Sequence, residues 1–397
     1  MKPINIKKMR EANISLVLNT IRTRGPISRY DISKITNLSP SAVSSIVEIL
    51  LNSGIIKETP AKKTKIGRRP LELSISDANM YSMGVEIEND RVLGIVMNLK
   101  GEILKKETVF LDSNLEYENV LNKVVEIYKK LREDLSSKEL MGLGIAIPGS
   151  IDRKNGVCIF APNFYWRNVP VKSFLTKYIN DTEIFIEHNI KAVTLGELWF
   201  GAGIGKENLI CVRVGSGVSA GFVVNGNLYR GYSDRAGELG HTVIERNGKK
   251  CRCGNYGCLE TYVSTQVLID RVLDGIKNGA YTQVSLKSKN REELLNEIIQ
   301  AGKSGDRFVL NIFEEMGEYL GIGIANLVNL FNPELIIIAG ELSKAEDLLL
   351  NPVRHTLKLH AFPPIPEVIV SKLGTYTCVV GAATYVIENK FSQIFSY

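Results

Sequence analysis

The segment that decides the fold is Gly-Glu-Leu-Gly-His at 237–241, followed by Cys-Arg-Cys-Gly-Asn-Tyr-Gly-Cys-Leu-Glu at 251–260. Three cysteines and a histidine this close together offer a Cys₃His set, which suits tetrahedral Zn²⁺ with no open coordination position. Gly254 and Gly257 let the backbone fold sharply around an ion. A closed site is structural, so we predict one zinc ion per chain that fixes a loop and performs no hydrolysis; the alternative is three free thiols beside an unrelated histidine. The predicted ligands are His241, Cys251, Cys253 and Cys258.

Composition limits the class of protein. The chain has 397 residues, of which 44% are hydrophobic and 23% charged, as in a soluble globular protein of about two or three domains. The six cysteines are too few and too unevenly placed for a disulfide scaffold. No apolar run approaches the roughly 18 residues that span a bilayer, and the first residues lack the apolar core of a secretory signal. We therefore predict a cytoplasmic protein without a membrane partner.

Basic charge is concentrated at the start of the chain. Residues 1–77 contain 14 Lys and Arg against 6 Asp and Glu, while the rest is nearly neutral. A basic head on a neutral body predicts contact with a polyanion, although a solvated basic face would explain the charge equally well.

Apolar spacing within this head predicts a winged helix-turn-helix. Helical periodicity occurs in three segments, at 14–21, 28–35 and 40–50, and Ser28 and Ser39 are good N-caps for the second and third. A third helix of this kind lies in a DNA major groove and reads it with outward polar side chains. Its predicted DNA contacts are Ser39, Ser41, Ser44 and Ser45.

A basic segment follows and leads into the alternating apolar residues of 71–75, which predict a β-strand. The segment is therefore a wing loop, or else a solvated linker between domains. Two adjacent arginines between Gly67 and Pro70 are extended, which suits a narrow minor groove. The predicted wing contacts are Lys62, Lys63, Lys65, Arg68 and Arg69.

The body alternates short β-rich runs with amphipathic stretches, the pattern of an α/β fold. Its motifs resemble those of the ROK family (repressors, open reading frames and kinases): the His and Cys segment, Pro-Asn-Phe at 162–164, Glu-His-Asn at 187–189 and Gly-Ser-Gly at 215–217. A winged head ending in Gly-Arg-Arg-Pro is typical of the repressor branch, so the resemblance covers essentially the whole chain. It implies a two-lobed, actin-like ATPase fold of the sugar-kinase type, with a sugar in the cleft.

The resemblance also implies a division into three units. Residues 1–77 would form the DNA-binding head with its basic wing. Residues 78–195 would form a smaller lobe, completed by a helix at 380–391, and residues 196–379 a larger lobe with the zinc site and a dimer surface. A homodimer, or a tetramer, would place two heads on half-sites about 34 Å apart, so the expected partner is palindromic operator DNA.

Sugar recognition needs side chains that exchange hydrogen bonds with a ring of hydroxyls. By resemblance His241 reaches the sugar while zinc orients its ring. His188 stands where family kinases usually carry Asn. Tyr165 and Trp166 would stack on a sugar face or belong to a core or an interface. The residues implied to bind the sugar are Asn163, Asn189, Glu238, His241 and Glu260.

Departures from the kinase pattern predict that the protein is not an enzyme. Asn189 stands where family kinases carry the catalytic Asp, and an amide cannot accept a proton at neutral pH. Gly-Val-Glu-Ile-Glu-Asn-Asp at 84–90 replaces the first phosphate loop with acidic side chains that would repel a triphosphate. At 339–341, Ala-Gly-Glu replaces a Gly-Gly pair that approaches the nucleotide.

Together these features predict a sugar-responsive transcriptional repressor that releases its operator when xylose, or else glucose, fills the cleft. Two alternatives stay open. One is an active sugar kinase with a DNA-binding head, in which Glu187 replaces the missing base. The other is a dimeric DNA-binding scaffold that has lost its ligand.

Overall fold

The computed structural model of the chain describes residues 6–60, 71–76, 80–112, 114–133, 135, 140–287 and 290–395. The predicted wing contacts Lys62, Lys63, Lys65, Arg68 and Arg69 lie outside these residues.

The head consists of the three predicted helices and an antiparallel strand pair, of which only the strand at 71–75 was predicted. The Ser28 and Ser39 hydroxyls accept hydrogen bonds from the N–H groups of Asp31 and Ala42, both at 3.2 Å, so both predicted N-caps are present. Asn37 adopts the left-handed conformation that ends the second helix. The elements are α1 (Ile6–Arg24), α2 (Arg29–Thr36), α3 (Pro40–Asn52), β1 (Ile56–Pro60) and β2 (Leu71–Ile75).

The first lobe is built on a five-stranded mixed sheet of order β10-β6-β3-β4-β5. Strands β6 and β10 run parallel to β3, while β4 pairs antiparallel with both of its neighbours, β3 and β5. A second, three-stranded sheet joins β7, β8 and β9. The elements are β3 (Tyr81–Ile87), β4 (Arg91–Asn98), β5 (Ile103–Phe110), α4 (Tyr117–Arg132), β6 (Leu140–Ile147), β7 (Ser150–Asp152), β8 (Val157–Ala161), β9 (Trp166–Val169), α5 (Val171–Leu175), β10 (Ile184–His188) and α6 (Asn189–Phe200).

The second lobe contains another five-stranded mixed sheet, of order β13-β12-β11-β14-β15. Long amphipathic helices bury their apolar faces against it, and α10 and α11 pack on each other. The elements are β11 (Leu209–Val214), β12 (Val218–Val224), β13 (Asn227–Tyr229), α7 (Glu260–Val263), α8 (Thr265–Lys277), α9 (Arg291–Lys303), α10 (Arg307–Phe331), β14 (Leu335–Ala339), α11 (Glu346–His360), β15 (Glu367–Val370) and α12 (Thr377–Phe395).

The last helix, α12, packs on strands β3 and β6 of the first lobe. Glycines make this approach possible: a Cβ on Gly84 would lie 2.1 Å from the Val379 carbonyl oxygen, and one on Gly144 would lie 2.0 Å from that of Ala382. The helix expected at 380–391 is therefore present, and the end of the chain covers the sheet formed near its beginning.

The head does not stand apart from the body. Apolar residues of its three helices share one buried cluster with residues of β4 and α12, including Ile95 and Val379. This shared core ties the head to the body, because separating the two would expose apolar surface. Among the described residues, no helix is long and apolar enough to cross a membrane.

Candidate functional site

The predicted metal ligands form one cluster. Their ligand atoms all lie within 4.8 Å of one another, with Cys251 Sγ 3.8 Å from His241 Nδ1 and Cys253 Sγ 3.7 Å from Cys258 Sγ. A tetrahedron with Zn–S arms of about 2.3 Å has edges near 3.8 Å, so the spacing fits a zinc ion. Gly257 allows the loop to close, because a Cβ there would lie 1.7 Å from the Glu245 carbonyl oxygen.

Of the predicted sugar-binding residues, His241 belongs to this cluster, and Glu238 and Glu260 lie near it in sequence. Glu260 begins α7, and its Oε2 accepts a hydrogen bond from the Val218 N–H at 3.1 Å. Burial raises the pKa of Glu260, and the nearby charge of Glu238 adds to the rise, while His241 and Arg252 oppose it. The charges of Glu238 and His241 therefore both act on the Glu260 carboxylate.

Arg252, which the sequence analysis did not select, connects this group to the fourth predicted residue. Its Nη1 donates to Asn163 Oδ1 at 3.3 Å. The position of Arg252 between two predicted metal ligands is a signal that could have identified it, since a metal ion that orders a loop also orders the side chains the loop carries.

Asn189 lies in a neighbouring pocket of the cleft. It begins α6 and lines that pocket with Ser216, Arg213 and Arg291, whereas Glu238 lines the adjacent one with His188. Burial lowers the pKa of His188 to about 3, so its ring is neutral, and its nitrogen accepts from the Ile190 N–H at 3.3 Å. His188 therefore acts as an N-cap in this structure.

The two aromatic residues after Asn163 differ in their surroundings. Trp166 is buried, packs against Phe164 at a ring distance of 4.9 Å, and donates its indole N–H to the Leu115 carbonyl at 2.8 Å. Tyr165 is 90% exposed. The core alternative therefore holds for Trp166, and only Tyr165 is free to meet a ligand.

A partly buried ionic cluster at this pocket joins the lobes, and sequence reasoning missed it. The carboxylate of Asp234, in the loop after β13, forms ion pairs with Arg153 at 2.7 Å, Lys191 at 3.0 Å and Arg230 at 3.4 Å. Burial opposes ionisation, but Lys191 and Arg153 hold the pKa of Asp234 below its usual range. The cluster ties the loop that leads to Glu238 to the first lobe.

Glu187, the alternative catalytic base, belongs to the same cluster. Its side chain is fully buried, its Oε2 accepts from Arg230 at 2.6 Å, and its Oε1 accepts from the His188 N–H at 2.8 Å. Both carboxylate oxygens of Glu187 are thus already engaged as hydrogen-bond acceptors within the protein. The geometry disfavours the kinase alternative.

Ion pairs engage the acidic segment at 84–90, which by resemblance stands in place of the first phosphate loop. Arg213 of the second lobe donates to Glu86 at 3.0 Å and Glu88 at 3.1 Å in the first lobe. Arg91 contacts Glu88 at 2.7 Å and reaches across to Glu292 at 2.5 Å. The prediction that these carboxylates simply repel phosphate is incomplete, because arginines neutralise them and join the lobes.

Replacement of Glu86 by Gln is expected to flatten the pH dependence of stability. Burial and Glu88 raise the pKa of Glu86 to about 7, while Arg213 opposes the rise. Below about pH 4.5 the residue is protonated in both states; between pH 4.5 and 7 only the unfolded state loses the proton. The free energy of unfolding of the wild type therefore falls as pH rises through this window, by roughly 1–3 kcal/mol more than that of E86Q.

Urea denaturation at several pH values between 4.5 and 8 measures this difference. Besides Glu88 and Arg213, Arg91 and Cys378 also face the carboxyl group. E318Q, which removes an exposed carboxylate on α10, is the matched control and should follow the wild type. Parallel curves for wild type and E86Q would contradict the assignment.

The structure also defines which face of helix α3 carries the predicted DNA contacts. Helix α3 buries Val43, Ile46, Val47 and Leu50, which fixes its rotation. Ser39, Ser41 and Ser45 are exposed and Ser44 is half-buried, so the four predicted DNA contacts lie at the open surface of the helix or at its edge. Ser39 also serves as the N-cap.

The two mixed sheets, the cleft between them and the three-helix head define a protein with a sugar-kinase-like body and a winged helix-turn-helix. The chain belongs to the ROK family, whose sequence model matches residues 82–389. The resemblance identified from the sequence is thereby confirmed.

Similar proteins extend over nearly the whole chain. The xylose repressor of Bacillus spizizenii is 32% identical over 387 residues, which are 96% of this chain and 96% of that protein. The DNA-binding transcriptional dual regulator NagC of Escherichia coli K12 is 30% identical, covering 95% of this chain and 93% of its own.

Solved structures show the same fold. A ROK family transcriptional regulator, described as a homologue of the E. coli MLC protein, covers 98% of both chains with a TM-score of 0.80 and 25% identity. A ROK family glucokinase from Streptomyces griseus, solved with glucose and AMPPNP, matches 78% of this chain and 99% of its own, with a TM-score of 0.70 and 27% identity. The α/β two-lobed fold with an added head is therefore established.

Proposed function

We propose that the protein is a transcriptional repressor that binds operator DNA through its head and responds to a sugar in its cleft. The observation that carries this proposal is the combination, in one chain, of an exposed recognition helix with a kinase-like cleft whose nucleotide side is filled by ion pairs. Relatives named as repressors match head and body together.

The protein is not expected to transfer phosphate. Asn189 lacks a proton-accepting group, and Glu187 is engaged by Arg230. Arg213 is already paired with Glu86 and Glu88, so a triphosphate would have to break two charged contacts before gaining one.

The cysteine cluster would hold one structural zinc ion. His241, Cys251, Cys253 and Cys258 fit a closed tetrahedral site, and the ion would supply a cross-link for a loop. That loop carries Arg252 and adjoins Glu260, so its order would set the positions of two groups that face the cleft.

Xylose is the first candidate effector and glucose the second. The pocket beside Glu238 holds only about 10 Å³, room for about one water molecule, so the lobes must separate or the side chains move before a sugar enters. A sugar that prefers the opened state would shift the conformational equilibrium, commonly with about 1–3 kcal/mol of coupling. In a homodimer on a palindromic operator, such a shift would misplace the heads and release the DNA.

Operator affinity measured with and without sugar tests the proposal. The probe is a duplex selected from a random library for binding to the protein, followed by fluorescence anisotropy. D-xylose, or failing that D-glucose, is expected to weaken binding by about 5- to 150-fold. E260Q is expected to lose this response, because an amide accepts fewer hydroxyl hydrogen bonds than a carboxylate.

The matched control is E245Q, which changes an exposed carboxylate of the same segment and should respond like the wild type. The proposal fails if no pentose or hexose changes operator affinity, or if sugar-dependent ATP turnover reaches the usual kinase range of about 1–100 s⁻¹. No heat of binding for any sugar in calorimetry would instead favour the scaffold alternative.

A further inference from the structure

Helix α6 runs from the cleft to the head. It begins at Asn189, in the pocket lined by Ser216 and Arg213, and ends at Phe200. Its 12 residues span about 18 Å. A helix is a stiff element, so displacement of one end moves the other.

The far end of α6 is held by a residue of the head. Arg22, in the last turn of α1, donates from Nη1 to the Trp199 carbonyl at 2.6 Å and to the Leu198 carbonyl at 3.5 Å. Its guanidinium also lies over the Trp199 ring, 4.7 Å from the centroid. Carbonyl groups at a helix C-terminus lack partners within the helix and carry partial negative charge, so a cation is well placed there.

Arg22 differs from its neighbour in burial. The contact encloses the guanidinium enough for burial to lower the pKa of Arg22 to about 10, which still leaves it charged at neutral pH. Arg24, two residues further along α1, is exposed. The two arginines therefore provide a matched pair in which only one touches α6 through the contacts described.

Helix α6 is also fixed to the second lobe and to α12. The Ser371 hydroxyl, just after β15, donates to the buried Glu197 carboxylate. Helix α12 meets α6 backbone to backbone, because a Cβ on Gly381 would lie 1.6 Å from the Ala192 carbonyl oxygen. Motion of the second lobe therefore reaches the C-terminal half of α6, where Arg22 is bound.

We infer that Arg22 is a positioning residue that couples the cleft to the head. It binds the C-terminal end of α6, so that movement of this helix rotates the head. This role deepens the proposed sugar response and rests on it. Arg22 itself lies outside the recognition helix, so its loss should disconnect the response while operator binding persists.

The test compares R22A with R24A, measuring operator affinity with and without D-xylose and xylose affinity by calorimetry. We expect R22A to bind xylose within about twofold of the wild type and the operator within about threefold, but its operator affinity should change by less than about twofold when xylose is added. R24A should keep the full change. A full sugar response in R22A would overturn the inference, and R22K, which retains one donor group, should recover part of the response if it is right.

A second measurement tests the role of Arg22 even if no sugar changes the operator affinity of the wild type. That result would contradict the proposed function but not the coupling through Arg22. The chain contains only two tryptophans, so W166F leaves Trp199 as the sole indole. If the head and α6 are coupled, the coupling is reciprocal, so operator binding also displaces α6. We expect this displacement to change the fluorescence emission of Trp199. We expect this change in W166F and its absence in W166F/R22A; equal emission changes in both proteins, or none in W166F, would overturn the inference.

Discussion

C258A is expected to lower the thermal midpoint of the protein by about 10 °C, and chelation of zinc from the wild type should do the same. Residues 243–258 form no strand; two isolated β-bridges, Val243 to Cys258 and Lys250 to Tyr256, and a few backbone hydrogen bonds close the loop. The proposed metal ion would cross-link His241 to the three cysteines and so join the two ends of this loop. Zinc supplies about 10–16 kcal/mol in isolated zinc-finger peptides; here the rest of the fold persists without it, so only a fraction appears as lost stability.

Elemental analysis and calorimetric melting, with and without chelator, measure the effect. The matched control is C158A, which truncates a buried cysteine of the first lobe outside the cluster. C158A should retain about one zinc per chain and remain sensitive to chelator, whereas C258A should have lost both properties. A wild-type protein that contains no stoichiometric zinc, or melts identically after chelation, would contradict the closed metal site.

Short-range signals explain what the sequence revealed correctly. The N-caps at Ser28 and Ser39 depend on contacts three residues apart, and the cysteine cluster depends on one short loop. Both can therefore be predicted from residues that are close in sequence. Resemblance to a family then supplied the two-lobed architecture, which periodicity alone would have left as an unspecified α/β fold.

Long-range pairing explains what was missed. Arg213 meets Glu86 across 127 positions of sequence, and Arg22 meets Trp199 across 177. Charges in a sequence do not name their partners, so an acidic run such as 86–90 has the same appearance whether it repels a ligand or neutralises an arginine. The docking of the head had no local signal either, because its core residues show only the periodicity of an amphipathic helix.

Trp166 illustrates a related difficulty. A tryptophan next to a predicted sugar ligand suits stacking and core packing equally, and the decision depends on whether a carbonyl lies within reach of its indole N–H. Here the Leu115 carbonyl, 51 positions away, accepts that hydrogen bond. Such a contact becomes visible only when the fold brings the two segments together.

S45E is expected to weaken operator binding by about 100-fold, which corresponds to about 2.8 kcal/mol. Helix α3 cannot rotate, because Val43, Val47 and Leu50 are fully buried, so Ser45 must stay at the open surface. A carboxylate there would face the phosphates and acceptor edges of a major groove, where it meets like charge and finds few donors. Anisotropy with the selected duplex at about 0.1 M salt measures the loss.

S15E is the matched control, since it places the same charge on an exposed position of α1, outside the recognition helix. It should keep operator affinity within about threefold, because one added surface charge is largely screened beyond about 10 Å at this ionic strength. Both variants should melt like the wild type, as neither position is buried. If S45E and S15E weakened binding equally, α3 would not be the element in the groove, and the basic wing would have to carry recognition alone.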